Sequence, residues 1–316
     1  MSLRNKEDFM SERKKLYALS GALVAICALF FILNAISSKK SSDFSKEERS
    51  NEQNKQQIEQ KNKETSESES KKDEDAPKSA FLIPKAKNGA TIALILDDAG
   101  QNTEFLSRYT SLPFPFAVSV LPELPHTKEC AALVRKSGKE LMLHQPMQSE
   151  NLSLYPGPGS IQPEMTTSEI AAIIEKNLEN LGGGVRGMNN HEGSLITANA
   201  VKMGAVLELC KKRGIYFLDS RTTTQSAASA VSLEMDIPIL ERNAPYIDNE
   251  IDREKMLSRI YETLNFANAH GQAIVIAHVD KSANILPALL LELYPHLIQN
   301  GYRFTTPSTL LKKTAE

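Results

Sequence analysis

From residue 91 onward, short apolar runs alternate with helical patterns, and that alternation confines the chain to a parallel α/β architecture. The runs are TIALILD (91–97), FAVSVL (116–121), ELMLH (140–144), VRGMNN (185–190), IYFLDS (215–220), IPILERN (237–243), AIVIAHV (273–279) and YRFTT (302–306). Most lack strict polar alternation, as strands buried on both faces do. Between them, residues such as Ile170, Ile173, Ile174 and Leu178 recur at helical spacing. Repetition of this kind builds either a β/α barrel or an open doubly wound sheet.

The polar residues that interrupt this pattern stand at strand C-terminal ends: Asp97-Asp98, His144, Asn189-Asn190-His191, Asp219 and His278. A barrel gathers such ends at one mouth, whereas an open sheet strings them along an edge. Convergence of that many positions favours the barrel. Adjacent carboxylates at a strand end point in different directions, so one of the Asp97-Asp98 pair can ligate a metal while the other handles protons. Asp98, His144 and His191 are separated by 46 and then 47 positions. That spacing is foreign to a compact zinc ribbon and suits ligands collected from successive strand–helix units. One carboxylate and two neutral imidazoles can hold Zn²⁺ with a position left for water, and Fe²⁺ or Co²⁺ would accept the same set. His278 can protonate a leaving group from the side opposite the metal. Asp219 and Arg221 form a charged strand-end pair, either a structural salt bridge or a device that orients the histidine or binds substrate.

Upstream of this domain lie two segments of different character. Residues Tyr17–Ile36 (YALSGALVAICALFFILNAI) are uncharged. At 1.5 Å per residue, that length spans a hydrocarbon layer of ~30 Å. A cleaved signal peptide is the competing assignment, but its apolar core is usually shorter. The cluster Arg13-Lys14-Lys15 abuts the run and favours an N-terminus inside, with the bulk of the chain extracytoplasmic. Residues 37–88 are Lys/Glu/Ser-rich with few apolar positions, too few to offset the entropy of ordering a backbone. The expected organisation is a cytoplasmic tail at 1–16, a transmembrane anchor at 17–36, a disordered polar linker at 37–88 and a working domain at 89–316.

Several function classes are excluded on composition. With 37 Lys+Arg against 39 Asp+Glu, the chain has no whole-molecule charge for nucleic acid. Three Cys cannot make a disulfide scaffold. The glycine run GGGVRG (182–187) precedes a strand and so is no strand-to-helix GxGxxG turn, and no GxxxxGK[ST] loop, GxSxG elbow or HExxH helix occurs, which removes the familiar dinucleotide, nucleotide, serine-hydrolase and zincin routes.

Taken together, IALILDDAG, LMLHQPM, GMNNHEGS, YFLDSRT and IVIAHV resemble the divergent polysaccharide deacetylase family, a branch of the NodB-like carbohydrate esterases. The resemblance covers nearly all of residues 90–310. It implies a distorted β/α barrel of about seven strands with a divalent-metal site. It also implies that Asp97 is the base, that Asp98, His144 and His191 are the metal ligands, and that His278 is the late-strand catalytic histidine. Two departures stand out. The larger group takes both metal histidines from one H-x-x-x-H group, absent here, and Glu192 replaces the Met of the family's usual NNHMGS.

The expected function is a Zn²⁺-dependent hydrolase removing acetyl groups from N-acetylated envelope glycan, with Asp219 or Arg221 orienting groups around the pocket. The alternative is a catalytically degenerate module that binds cell-wall glycan or an envelope protein. Expected partners are glycan, the membrane through the N-terminal helix, and an envelope protein, with no nucleic acid. The expected location is the bacterial inner membrane, single-pass, with the domain in the periplasm.

Overall fold

The computed structural model describes residues 81–314. Eight strands form a single, wholly parallel sheet: β1 (Thr91–Ala99), β2 (Ala117–Val120), β3 (Glu140–Met147), β4 (Gly187–Glu192), β5 (Tyr216–Asp219), β6 (Leu240–Glu241), β7 (Gln272–His278) and β8 (Arg303–Thr305). The spatial order is β6-β5-β4-β3-β2-β1-β7. One edge of β1 is shared, its first residues (91–93) pairing β8 and its later ones (95–99) pairing β2.

Helices return the chain between strands: α1 (Thr103–Thr110), α2 (Thr127–Lys136), α3 (Thr167–Leu181), α4 (Ser194–Thr197), α5 (Ala200–Arg213), α6 (Ala228–Met235), α7 (Arg253–His270), α8 (Val279–Ser282), α9 (Leu286–Gln299) and α10 (Pro307–Thr314). Their ends are chemically marked. Thr166 and Glu169 make a reciprocal capping box on α3, which stops at Gly182 with φ +78°. Thr197 is the last residue of the short α4, and Asn199 caps α5 by accepting from the Lys202 amide.

The strands curl around an inner apolar cluster of Ala93, Ile95, Ala117, Met142, Leu218, Leu240, Ile274 and Ile276. Leu310 of α10 joins that cluster. A second, larger cluster fills the space between sheet and helices. Period-two alternation carries the inner face of each strand from this apolar floor up to the strand's polar end. Leu310→Ala should therefore cost about 2–5 kcal/mol, as emptied core sites do. Denaturant unfolding reads the change directly, and an unaltered midpoint would remove Leu310 from the core's account.

The distorted barrel of about seven strands is a half-barrel, because β6 and β7 are the two ends of the ladder and do not pair. β6 has only two residues, too short to reach across. The seam is bridged irregularly: the amides of Asn243 and Ala244 donate to Ile274 O (3.2 Å each), and that of Ile247 donates to Ile276 O (3.1 Å). Asn243 Oδ1 accepts from the Ile274 amide at 2.7 Å.

The tail 1–16, the apolar run Tyr17–Ile36 and residues 37–80 lie outside the described residues. Among the described residues no helix is long and apolar enough to cross a membrane. The expected fold is corrected here. Among the described residues the architecture is the α/β half-barrel with no transmembrane helix, which gives no support to the membrane partnership and inner-membrane location that rested on one. Residues 81–88, read as linker, are packed: Phe81 and Ile83 are buried, and Asn268 Oδ1 accepts from the Lys87 amide at 2.7 Å.

Candidate metal centre

Strand register assembles the site. His144 on β3 lies opposite Asn189 on β4, and Pro146 opposite His191. Asp97 on β1 lies opposite His278 on β7. Asp97 shares the inner face of β1 with Ala93 and Ile95, so strict alternation would send Asp98 the other way. The register shifts between Leu96 and Ala99, and Asp98 takes φ +63°. This irregularity re-aims the second carboxylate, and both acids meet the histidines.

Asp98 Oδ1 lies 3.1 Å from His144 Nε2 and 3.0 Å from His191 Nδ1. The two nitrogens are 3.2 Å apart. Tetrahedral N/O ligands on bonds of ~2.0–2.2 Å are themselves separated by about 3.4 Å, so the triangle fits a divalent ion. Asp98 Oδ1 is buried without a hydrogen bond of proper geometry, although two nitrogens adjoin it. Atoms crowded so closely without directed hydrogen bonds suit a shared cation. These three residues form a cluster able to hold a metal. Burial opposes the charge on Asp98, but the His144 and His191 imidazoles outweigh it and hold the carboxyl far below the usual range. Burial likewise depresses His144, yet Asp97 and Asp98 prevail and lift it to about 9.

Asn189, noted in the sequence only for its hydrogen-bonding capacity, organises the cluster from beneath. Its side chain is wholly buried. Its Oδ1 lies 2.9 Å from His144 Nδ1, which places the ring proton on Nδ1 and leaves the Nε2 lone pair for the metal. Its Nδ2 donates to both Asp97 oxygens (3.0 Å each) and to Ser220 Oγ (3.1 Å). One amide therefore fixes the ligand histidine and the neighbouring carboxylate together. Asp97 Oδ2 stands 3.7 Å from His144 Nε2, outside the ligand triangle.

His278 is held by a residue that the sequence reading missed. Asp248, fully buried, accepts the His278 amide on Oδ2 (2.7 Å) and faces its Nδ1 with Oδ1 (2.9 Å). Nδ1 thus carries a proton and Nε2 is presented. Burial works against the charged ring, but Asp248 raises its pKa above the ordinary histidine value. Tyr246 stacks on the ring with centroids 5.5 Å apart, and the Arg242 guanidinium covers the tyrosine at 4.0 Å. Asp248 bears no motif spacing to His278 in sequence; only the seam segment brings them together.

Asp219 and Arg221 are placed differently. Asp219 Oδ1 accepts the Arg221 amide at 2.7 Å, and Arg221 Nη1 lies 3.8 Å from Asp219 Oδ2 and 3.5 Å from Glu241 Oε1. Neither makes a hydrogen bond or ion pair with Asp97, Asp98, His144, His191 or His278. It is Ser220, between them, that reaches Asn189. Glu192 is exposed, with φ +54°, and its carbonyl accepts from Asn190 Nδ2 and Thr222 Oγ1.

Comparisons with known proteins agree with this geometry. The chain is 29% identical over 188 residues to the uncharacterized protein YibQ of Escherichia coli (strain K12), covering 59% of this chain and 58% of that protein. It is 24% identical over 187 residues to an uncharacterized protein of Haemophilus influenzae, covering 59% and 66% respectively. The chain therefore spans less than two thirds of the length of these relatives. The crystal structure of the uncharacterized protein ATU2773 from Agrobacterium tumefaciens C58 shares the fold, with a TM-score of 0.63 at 17% identity over 73% of this chain and 91% of that one. Residues 94–311 match the family described as divergent polysaccharide deacetylase. That stretch holds the whole Asp98–His144–His191 cluster together with Asp97 and His278, and the chain belongs to the divergent polysaccharide deacetylase family.

Proposed function

We propose that this chain is a metal-dependent hydrolase that removes acetyl groups from N-acetylated envelope glycan. The observation that carries the reading is the ligand triangle with an uncoordinated carboxylate, Asp97, on one side and a protonated-Nδ1 histidine, His278, on the strand beside it. Asp98 Oδ1, His144 Nε2 and His191 Nδ1 would hold the ion, with Zn²⁺ the best match to two imidazoles and one carboxylate. When bound, a divalent ion of this kind supplies Lewis acidity toward a carbonyl oxygen and acidifies water.

The chain's own groups supply the rest. Asp97 is kept ready as a base because Asn189 holds both of its oxygens while leaving it free of the ligand set. It would take the proton of the attacking water. His278 Nε2 would give a proton to the departing amine, with Asp248 steadying the charged ring through Nδ1. Asp219 and Arg221, proposed from sequence to orient groups in the pocket, would act at one remove by shaping the turn that carries Ser220.

Acetate release from a panel of N- and O-acetylated glycans by the Zn²⁺-loaded full chain tests the reading. Release that vanishes with chelation and returns with metal is the expected outcome. Glycan binding without any release across the panel would move the chain to a binding role.

A further inference from the structure

The N-terminal ends of the strands, away from the metal centre, carry a cavity of their own. Glu140 opens β3 and His144 lies four residues further along it, so the two ends of the sheet stand ~13 Å apart on that strand. The cavity measures about 300 Å³ and opens between the entries to β4 and β5, the end of α5, and α10. Ile215, Tyr216, Ile237 and Leu311 give it apolar walls. Its charged lining is Arg186, Lys211 and Asp236, all exposed. Two cations therefore face one carboxylate.

The floor is fixed. The Tyr216 ring lies across Gly187, where a Cβ would fall 2.2 Å from ring Cζ. Its hydroxyl donates to Glu140 Oε1 at 2.7 Å. Burial, and then the Glu140 charge, push the phenol well above its ordinary pKa, so the ring stays neutral. Glu140 also accepts the Ser308 amide at 3.1 Å and the Ser308 hydroxyl. That carboxylate is engaged by three donors, none of them a cation. Among the described residues, neither the Arg186 guanidinium nor the Lys211 ammonium makes a hydrogen bond or ion pair. Arg213, two positions beyond Lys211, is by contrast committed to Glu175.

Concave sites of this size, apolar with a few placed polar groups, take small molecules. The two uncommitted cations select the charge of the occupant, and a guanidinium grips oxyanions through paired N–H donors. The apolar walls select its body. We propose that this cavity binds a small organic anion with an apolar body, its acidic group held by Arg186 and Lys211 and its body laid on Tyr216, Ile215 and Ile237. The site is independent of the deacetylase reading, because no residue of the metal centre lines it.

Fluorescence titration of the full chain tests the site with two probes. One is 1-anilinonaphthalene-8-sulfonate, an apolar ring system bearing one acidic group, and the other is its uncharged analogue N-phenyl-1-naphthylamine. The expected result is one sulfonate probe bound per chain, with Kd raised tenfold or more in Arg186→Gln/Lys211→Gln and an unchanged thermal midpoint. Arg186→Lys should keep most of the affinity. The uncharged probe should bind wild type and double variant alike. Sulfonate affinity should also be the same after Zn²⁺ loading and in Asp98→Asn, since the metal centre lies at the other end of the strands. No sulfonate binding by the wild type, equal binding by the double variant, or an equal loss of both probes would overturn the site. Affinity that follows Zn²⁺ or Asp98 would hand the probe to the metal centre and overturn it as well.

Discussion

Changing Asp98 to Asn should lower Zn²⁺ affinity on the order of a hundredfold or more, with the fold intact. Asn is the informative substitution because it tolerates the positive φ that Asp98 adopts, so the backbone irregularity survives and only the ligand charge is lost. Asn189→Ala should weaken binding by roughly 10–100-fold, the usual effect of losing a residue that orients a ligand histidine. Competition with a chromophoric chelator reads both variants. The same titration carries a pH signature. In the metal-free chain His144 sits near 9, so below that pH its Nε2 proton must leave before the nitrogen can bind a metal. Affinity should therefore fall about tenfold for each unit of pH below 9, with proton release detectable in weakly buffered solution. Affinity independent of pH and of Asp98 would dissolve the ligand triangle.

Changing Asp97 to Asn should reduce turnover by about 10²–10⁴-fold and leave metal occupancy nearly unchanged. The separation follows from geometry, since Asp97 is buried beside the ligand set but not in it, and an Asn there still offers an oxygen to Asn189. Asp248→Asn should act through His278 on the alkaline side. Asp248 raises the histidine's pKa, the acid form is the one that donates, and activity is lost as pH rises through that value. Weakening the pair therefore moves the alkaline limb to lower pH. Equal turnover in wild type and Asp97→Asn would remove Asp97 as the base, and an unmoved limb in Asp248→Asn would detach Asp248 from the acid.

Much of this was legible in the residues themselves. Strands buried on both faces wrote their own boundaries as apolar runs, and at β1, β3, β4 and β7 the polar residue closing the run was the residue delivered to the mouth. What escaped the sequence was whatever depended on departures from regularity. Asp98 turns inward only because β1 breaks register before Ala99. Asp219 looked like a site residue because it ends an apolar run, yet the alternation of β5 gives the inward position to Ser220. Asp248 sits in a stretch without periodicity, so nothing in its surroundings announced a partner 30 positions away. The distortion of the expected barrel has a definite place, the seam where the two residues of β6 do not pair β7.

The bridged gap between β6 and β7 links mechanical integrity to chemical competence. Residues 243–247 hold β7 through four hydrogen bonds, and Asp248, the very next residue, holds the histidine. A fluctuation that lifts this stretch off β7 also withdraws the carboxylate that keeps the ring charged and aimed. Such an opening would disarm proton donation before it unfolds the domain, while Asp98, His144 and His191, borne on β1, β3 and β4, keep their places. Heating or mild denaturant would then silence the acid first and empty the cation pocket later, making loss of turnover an early gauge of sheet rupture.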